Sequence, residues 1–161
     1  SDVYKRQFLN AVNDGIKIIS GLVIQYPFYA GIMAILSASG LAVAVADAFG
    51  AFATAKSLPF WSFISAGFLN LFMPSGGGQF AVQGPVMAEA ATALGADQAA
   101  TAMAVQIGDQ WTNMIQPFWI LPALAISGLK LRDVMGYLVL ILVVLGIIYT
   151  ISVLVWGFLL T

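Results

Sequence analysis

Two short stretches hold most of the residues in this chain that could do chemistry. The first is Ser75-Gly76-Gly77-Gly78-Gln79, with Gln83 one helical turn on; the second is Asp109-Gln110-Trp111-Thr112-Asn113, with Gln116 just beyond. No basic residue lies between Lys56 and Lys130, so an anion held here meets no ammonium or guanidinium. It can be held instead by the amides of Gly76 to Gln79 at the helix N-terminus they open. Ser75, Gln79, Gln83, Thr112, Asn113 and Gln116 are the neutral donors available. Free carbonyls at the opposite helix ends suit Na⁺ or a proton carrier. No other cofactor is called for. Gln106, Asp109, Gln110, Asn113 and Gln116 are spaced 3, 1, 3 and 3 residues apart. On a helix they form one stripe, and polar groups within an apolar helix need an interior partner or water.

Other readings of these residues fit less well. Gly76-x-Gly78-x-x-Ala81 with Asp97 downstream matches a dinucleotide fingerprint only superficially, because no βαβ context surrounds it. A phosphate-binding loop needs a lysine that is absent here. Gly108-Asp109 has the Gly-Asp pair of intramembrane aspartate proteases, but no second intramembrane aspartate lies nearby, so an enzyme is not expected. Glu89 is balanced between a functional and a surface role. Trp61, Trp111 and Trp119 suit interface anchors or packing, and Trp111 is kept as a site residue because it adjoins the polar stripe.

Composition sets the environment. Of 161 residues, 61% are hydrophobic and 8% charged, against about 25% charged in soluble domains. This is an integral membrane protein with the lipid bilayer as its partner. Six basic residues against seven acidic leave no nucleic-acid footprint. Without cysteine or histidine there are no disulfides and no usual zinc site. Residues 1–7 match nothing that follows. Asp-Val-Tyr-Lys-Arg-Gln is what GATGTGTATAAGAGACAG encodes, a sequence resembling a transposase adaptor, so these residues read as an artefact outside the fold.

Residues 8–161 then read as one membrane domain. Ile16–Ser37 is long enough for one crossing with a kink at Pro27. Leu41–Phe52 is a short interfacial helix with Ala42, Ala46 and Gly50 on one face. Residues 59–95 form two arms, Pro59–Met73 and Phe80–Leu94, about 22 Å each as helix. Neither spans a hydrocarbon core of about 30 Å. With Pro74 and three glycines between them, a re-entrant hairpin with an unwound tip at mid-depth is expected. Residues 98–127 should be a helix broken around 110–117 by Pro117. Residues 134–160 carry no charge and form the last crossing, with Lys130 and Arg132 on the cytoplasmic side.

The chain resembles the bacterial short-chain fatty acid transporter family. The match rests on Tyr26-Pro27-Phe28-Tyr29-Ala30-Gly31, Pro74 to Gln79, Gln83-Gly84-Pro85 and Ala93 to Asp97. Gln110-Trp111-x-Asn113-Met114-x-Gln116-Pro117-Phe118-Trp119, Leu121 to Ile126 and Arg132-Asp133-x-Met135-Gly136-Tyr137 continue it. The resemblance implies a permease for acetoacetate, butyrate or similar monocarboxylates in a bacterial inner membrane, crossing it several times. It implies that this chain is the C-terminal part of a longer protein lacking an N-terminal repeat; a homo-oligomer is left open. More distantly the layout is similar to the ion transporter superfamily, which implies an all-α second inverted repeat with a hairpin tip facing a broken helix. That likeness implies a sodium ion near Ser75 and Asn113, but Ser75-Gly76-Gly77 stands where the superfamily has Ser-Asn-Thr, so two side-chain oxygens of its sodium site are lacking and proton coupling through Asp109 is the rival. Met73, Phe80 and Trp111 are then expected around the alkyl tail. The alternatives are a sodium/proton antiporter, a carrier of another carboxylate, or a non-transporting membrane subunit.

Overall fold

The computed structural model describes residues 2–160; Ser1, the first of the seven residues read as foreign, and Thr161 lie outside the described residues. Among the described residues seven helices follow one another: α1 (Asp2–Ala38), α2 (Leu41–Gly50), α3 (Leu58–Asn70), α4 (Gly76–Leu94), α5 (Gln98–Asn113), α6 (Pro117–Ser127) and α7 (Leu131–Leu159). The all-α expectation holds among the described residues.

Residues 2–7 extend α1, and the helix continues across Pro27. The chain bends by 60° between Val23–Ala38 and Leu41–Gly50. Gly40, at φ +71°, makes that bend, in a region where a side chain would strain the backbone. α7 is the one described helix long and apolar enough by itself to cross a membrane. It begins at Leu131 rather than 134, because the Asp133 carboxylate caps it by accepting from Lys130 N at 3.0 Å.

The expected hairpin is present as a helical pair, but its glycines are helical rather than unwound. Ser75 is the reason. Its hydroxyl oxygen accepts from Gly78 N at 3.3 Å, and its carbonyl accepts from Gln79 N at 2.8 Å. This cap begins α4 at Gly76, and tertiary packing offsets the entropy that three glycines lose. Only residues 71–75 remain non-helical between α3 and α4. The arms run antiparallel, since side-chain bonds link 66 to 79, 65 to 83 and 62 to 87 in opposing order.

The core forms where α3 lies between α5, α4 and α7. Phe63, Ala104 and Val153 are fully enclosed on one side of α3, and Leu58, Ala66, Met87, Ala91 and Val105 on the other. Gly108 sits where α5 passes closest to α3, facing the Phe63 carbonyl. Gly157 of α7 lies in the same way against the Lys56 carbonyl. Much of α7, from Val139 to Phe158, is exposed and apolar, as a lipid-facing helix would be.

Candidate functional site

Asn70 is the hub joining the hairpin to the broken helix, and sequence reasoning missed it. It closes α3, is fully buried, and donates from Nδ2 to Thr112 Oγ1 at 2.9 Å and to Asn113 Oδ1 at 3.0 Å. Its backbone carbonyl accepts from Gln116 Nε2 at 3.1 Å, as does that of Leu71 at 3.0 Å. The signal was there: Asn70 is the one amide side chain in the apolar run Phe60–Phe72.

The broken helix parts at Met114–Gln116, within the expected 110–117. Proline at 117 cannot donate into the turn before it, so Gln116 is extended and starts α6. Thr112 donates to Gly67 O at 2.9 Å, and Trp119 Nε1 donates to Asn113 Oδ1 at 3.1 Å. The two chemistry-bearing stretches therefore meet. Asp109, largely buried on α5, lies against Gly76, where a built Cβ would be 3.1 Å from Oδ2.

Gln79 and Gln83 are spent on the hairpin itself. Gln79 Nε2 donates to Ala66 O at 2.8 Å and to Gln83 Oε1 at 3.1 Å, and Gln83 Nε2 donates to Ser65 Oγ at 2.8 Å. Gln110 is exposed and stands apart from the hub. Asn113 Oδ1 already accepts two bonds and the Ser75 hydroxyl is a cap, so the expected sodium position near Ser75 and Asn113 is not where acceptors are to spare.

Trp111 faces away from this cluster. Its ring lies 4.9 Å from that of Phe63 and fills the space left by Gly67 and Gly146, and its Nε1 donates to Leu142 O at 2.8 Å. It is a wedge between α3, α5 and α7. Trp111→Phe should lose that bond and part of the packing, lowering stability by about 1–2 kcal/mol. Thermal unfolding in detergent measures it, and uptake by the folded fraction should persist.

A cavity of about 250 Å³ opens beside the hairpin tip. It is lined by Tyr26, Tyr29, Ala30 and Met33 of α1, by Pro74 and Ser75, and by Trp119 of α6. Met73 is buried between α2 and α3, and Phe80 packs at the α4 core, so neither lines it. Met33 reaches over the start of α4, its Cε at 2.7 Å from a Cβ built on Gly78. The α1 residues carry one of the resemblance motifs, yet nothing in their spacing gave them a role.

The family profile described as "Short chain fatty acid transporter" matches residues 5–156. This chain belongs to the short-chain fatty acid transporter family. A protein of Escherichia coli (strain K12) named "Putative short-chain fatty acid transporter" is 42% identical over 145 residues, covering 90% of this chain and 33% of that protein. One of the same name from Haemophilus influenzae (strain ATCC 51907 / DSM 11121 / KW20 / Rd) is 43% identical over 130 residues, or 81% of this chain and 29% of that protein. The chain thus spans about a third of the length of these curated relatives. No solved structure matches it. The family and both relatives are named for transport and not for an enzymatic activity.

Proposed function

We propose that this chain is the substrate-holding part of a secondary active carrier for short-chain monocarboxylates such as acetoacetate or butyrate. The carrier crosses a bacterial inner membrane several times, and α3–α4 enters the bilayer as a re-entrant hairpin within the second of two inverted repeats. An N-terminal repeat supplies the opposing half. The carrying observation is the cavity at the capped end of α4. Gly78 N and Gln79 N are taken by Ser75, which leaves the amides of Gly76 and Gly77 for a carboxylate. The aromatic and methionine walls suit a short alkyl tail. The volume falls below the ~300–1,000 Å³ typical of drug-sized sites, as a small solute requires.

Gly77 offers a clean test because nothing lies within 4 Å of a Cβ built there. Gly77→Val, in the longest reading frame that carries this chain, should abolish butyrate uptake in vesicles and leave membrane insertion intact. Asn113→Ala should do the same with some loss of stability, since Asn70 and Trp119 both donate to its side chain. Undiminished uptake in both variants removes the site assignment.

A further inference from the structure

Lys56 is the one basic residue between Lys17 and Lys130, and it stands where the α2–α3 loop meets the end of α7. Its carbonyl packs against Gly157, and its ammonium lies over the Phe158 ring, 5.4 Å from the centroid. The length of α7 fixes its depth. Those 29 residues of helix measure about 43 Å against a hydrocarbon core of about 30 Å, so both ends reach headgroup level. Gly157 is near the end away from Lys130 and Arg132, which places Lys56 at headgroup level on the opposite membrane face.

Two hydroxyls hold the loop that presents this lysine. Ser57 Oγ accepts from Thr54 N at 2.9 Å, Thr54 Oγ1 accepts from Ser57 N at 3.3 Å, and the two oxygens lie 3.1 Å apart. One proton serves the bond between them, so the second hydroxyl proton has no acceptor among the described residues. No carboxylate among the described residues pairs with the Lys56 ammonium. Of the acids toward this end, Asp97 caps α5 through Ala100 N at 2.7 Å, and Asp47 pairs with no base among the described residues. Two apolar grooves lead away from the loop. One, of about 410 Å³, is lined by Ala48, Phe49, Phe52 and Trp61. The other, of about 360 Å³, follows α7 and is lined by Ile151, Leu154, Val155, Phe158 and Leu159. Phe52 and Trp61 flank the loop, and Phe158 is the ring beneath the ammonium. α2 and α7 both end beside Lys56, so each groove runs from headgroup level back into the apolar layer.

We propose that Lys56 and the Thr54–Ser57 hydroxyl pair hold the phosphate of an anionic phospholipid, whose two acyl chains lie in these two grooves. One ammonium and one spare O–H match the single negative charge of a phosphodiester. Two apolar grooves that meet at one polar point match two tails joined at one headgroup, which a free anion or a fatty acid does not. A zwitterionic lipid brings its own cation to the lysine and is held less well. The site also gives a partner to a lysine on the side that the positive-inside rule disfavours. Bound lipid bridges the α2–α3 end and α7, and so stabilises the fold. The proposal needs only that α7 crosses the bilayer; it does not rest on the carrier reading.

The test uses protein from the longest reading frame that carries this chain, purified in detergent. Its thermal midpoint is followed during titration with dioleoyl phosphatidylglycerol, with dioleoyl phosphatidylcholine, or with inorganic phosphate. Phosphatidylglycerol should raise the midpoint saturably, the choline lipid should need roughly tenfold more, and inorganic phosphate should do nothing. Lys56→Gln should raise the half-saturating phosphatidylglycerol concentration roughly tenfold, while Lys56→Arg largely keeps it. Phe52→Ala should weaken both lipids alike, and Lys17→Gln, in an exposed ion pair of α1, should change nothing. Lys56 and Phe52 are both exposed, so these variants are expected to fold. Equal stabilisation by the two lipids overturns the proposal, as does a phosphatidylglycerol response that Lys56→Gln leaves unaltered. Inorganic phosphate that matches the lipid overturns it too, because the site would then be one for a free anion. Butyrate uptake does not enter these readings, so failure of the carrier assignment would leave them standing.

Discussion

Replacing Gly108 by valine is expected to leave almost no assembled protein. A Cβ at this position would run into the Phe63 carbonyl and come within 2.8 Å of Ala66 Cβ and 3.1 Å of Gly67 N. Two of those neighbours are backbone atoms of α3, which cannot turn aside as a flexible side chain can. The helices would have to separate, and the same crossing carries the Thr112 bond to Gly67 and seats the Trp111 ring on Phe63. Overpacking a core costs about 1–3 kcal/mol where neighbours can give, so the cost should reach or exceed the upper end here. Size-exclusion chromatography after detergent extraction is the measurement. A monodisperse Gly108→Val protein with wild-type thermal midpoint would mean that α3 and α5 do not cross as closely as described. Gly77→Val, the same change in open space, is the internal control for the effect of valine in a helix.

Asn70→Asp should be the most damaging change at the hub, although it alters no heavy-atom shape. The NH₂ that satisfies Thr112 Oγ1 and Asn113 Oδ1 becomes an oxygen facing two oxygens, within a fully buried position. Asn113 cannot rotate to compensate, because its NH₂ would then meet the Trp119 N–H. Losing two buried bonds and burying a second charge near Asp109 should cost about 3 kcal/mol or more. Asn70→Leu loses the same bonds without the charge and should cost less, about 2 kcal/mol. Both should abolish uptake. Comparing their thermal midpoints checks the donor assignment: if aspartate is tolerated as well as leucine, the amide does not point as described.

Much of the layout was legible because it follows from local chemistry. Pro117 removes a backbone donor, and the helix breaks just before it at 114–116. Gly40, Gly95 and Gly128 adopt positive φ at helix ends, where glycine alone is free of strain. The glycine run misled in one respect. Intrinsic propensity argued for an unwound tip, and a serine cap with Met33 packed over it made the glycines the first turn of α4.

The site divided in the same way. By itself the sequence determined that this is an apolar helical chain, that its candidate site residues fall in 75–83 and 109–116, and that no basic side chain lies among them. Those are matters of residue type and short spacing. Only the tertiary structure decided which polar groups are left over. Trp111 adjoins the stripe in sequence but turns into the core, Gln79 and Gln83 lock the hairpin, and Asn70, Gln79 and Asp109 each keep one oxygen without a partner. A hydrogen bond joins atoms across helices whose positions are separated by 42 or 43 residues, as from Asn70 to Thr112 and Asn113. Which donors such bonds consume depends on how helices pack, and no local pattern in the chain records it.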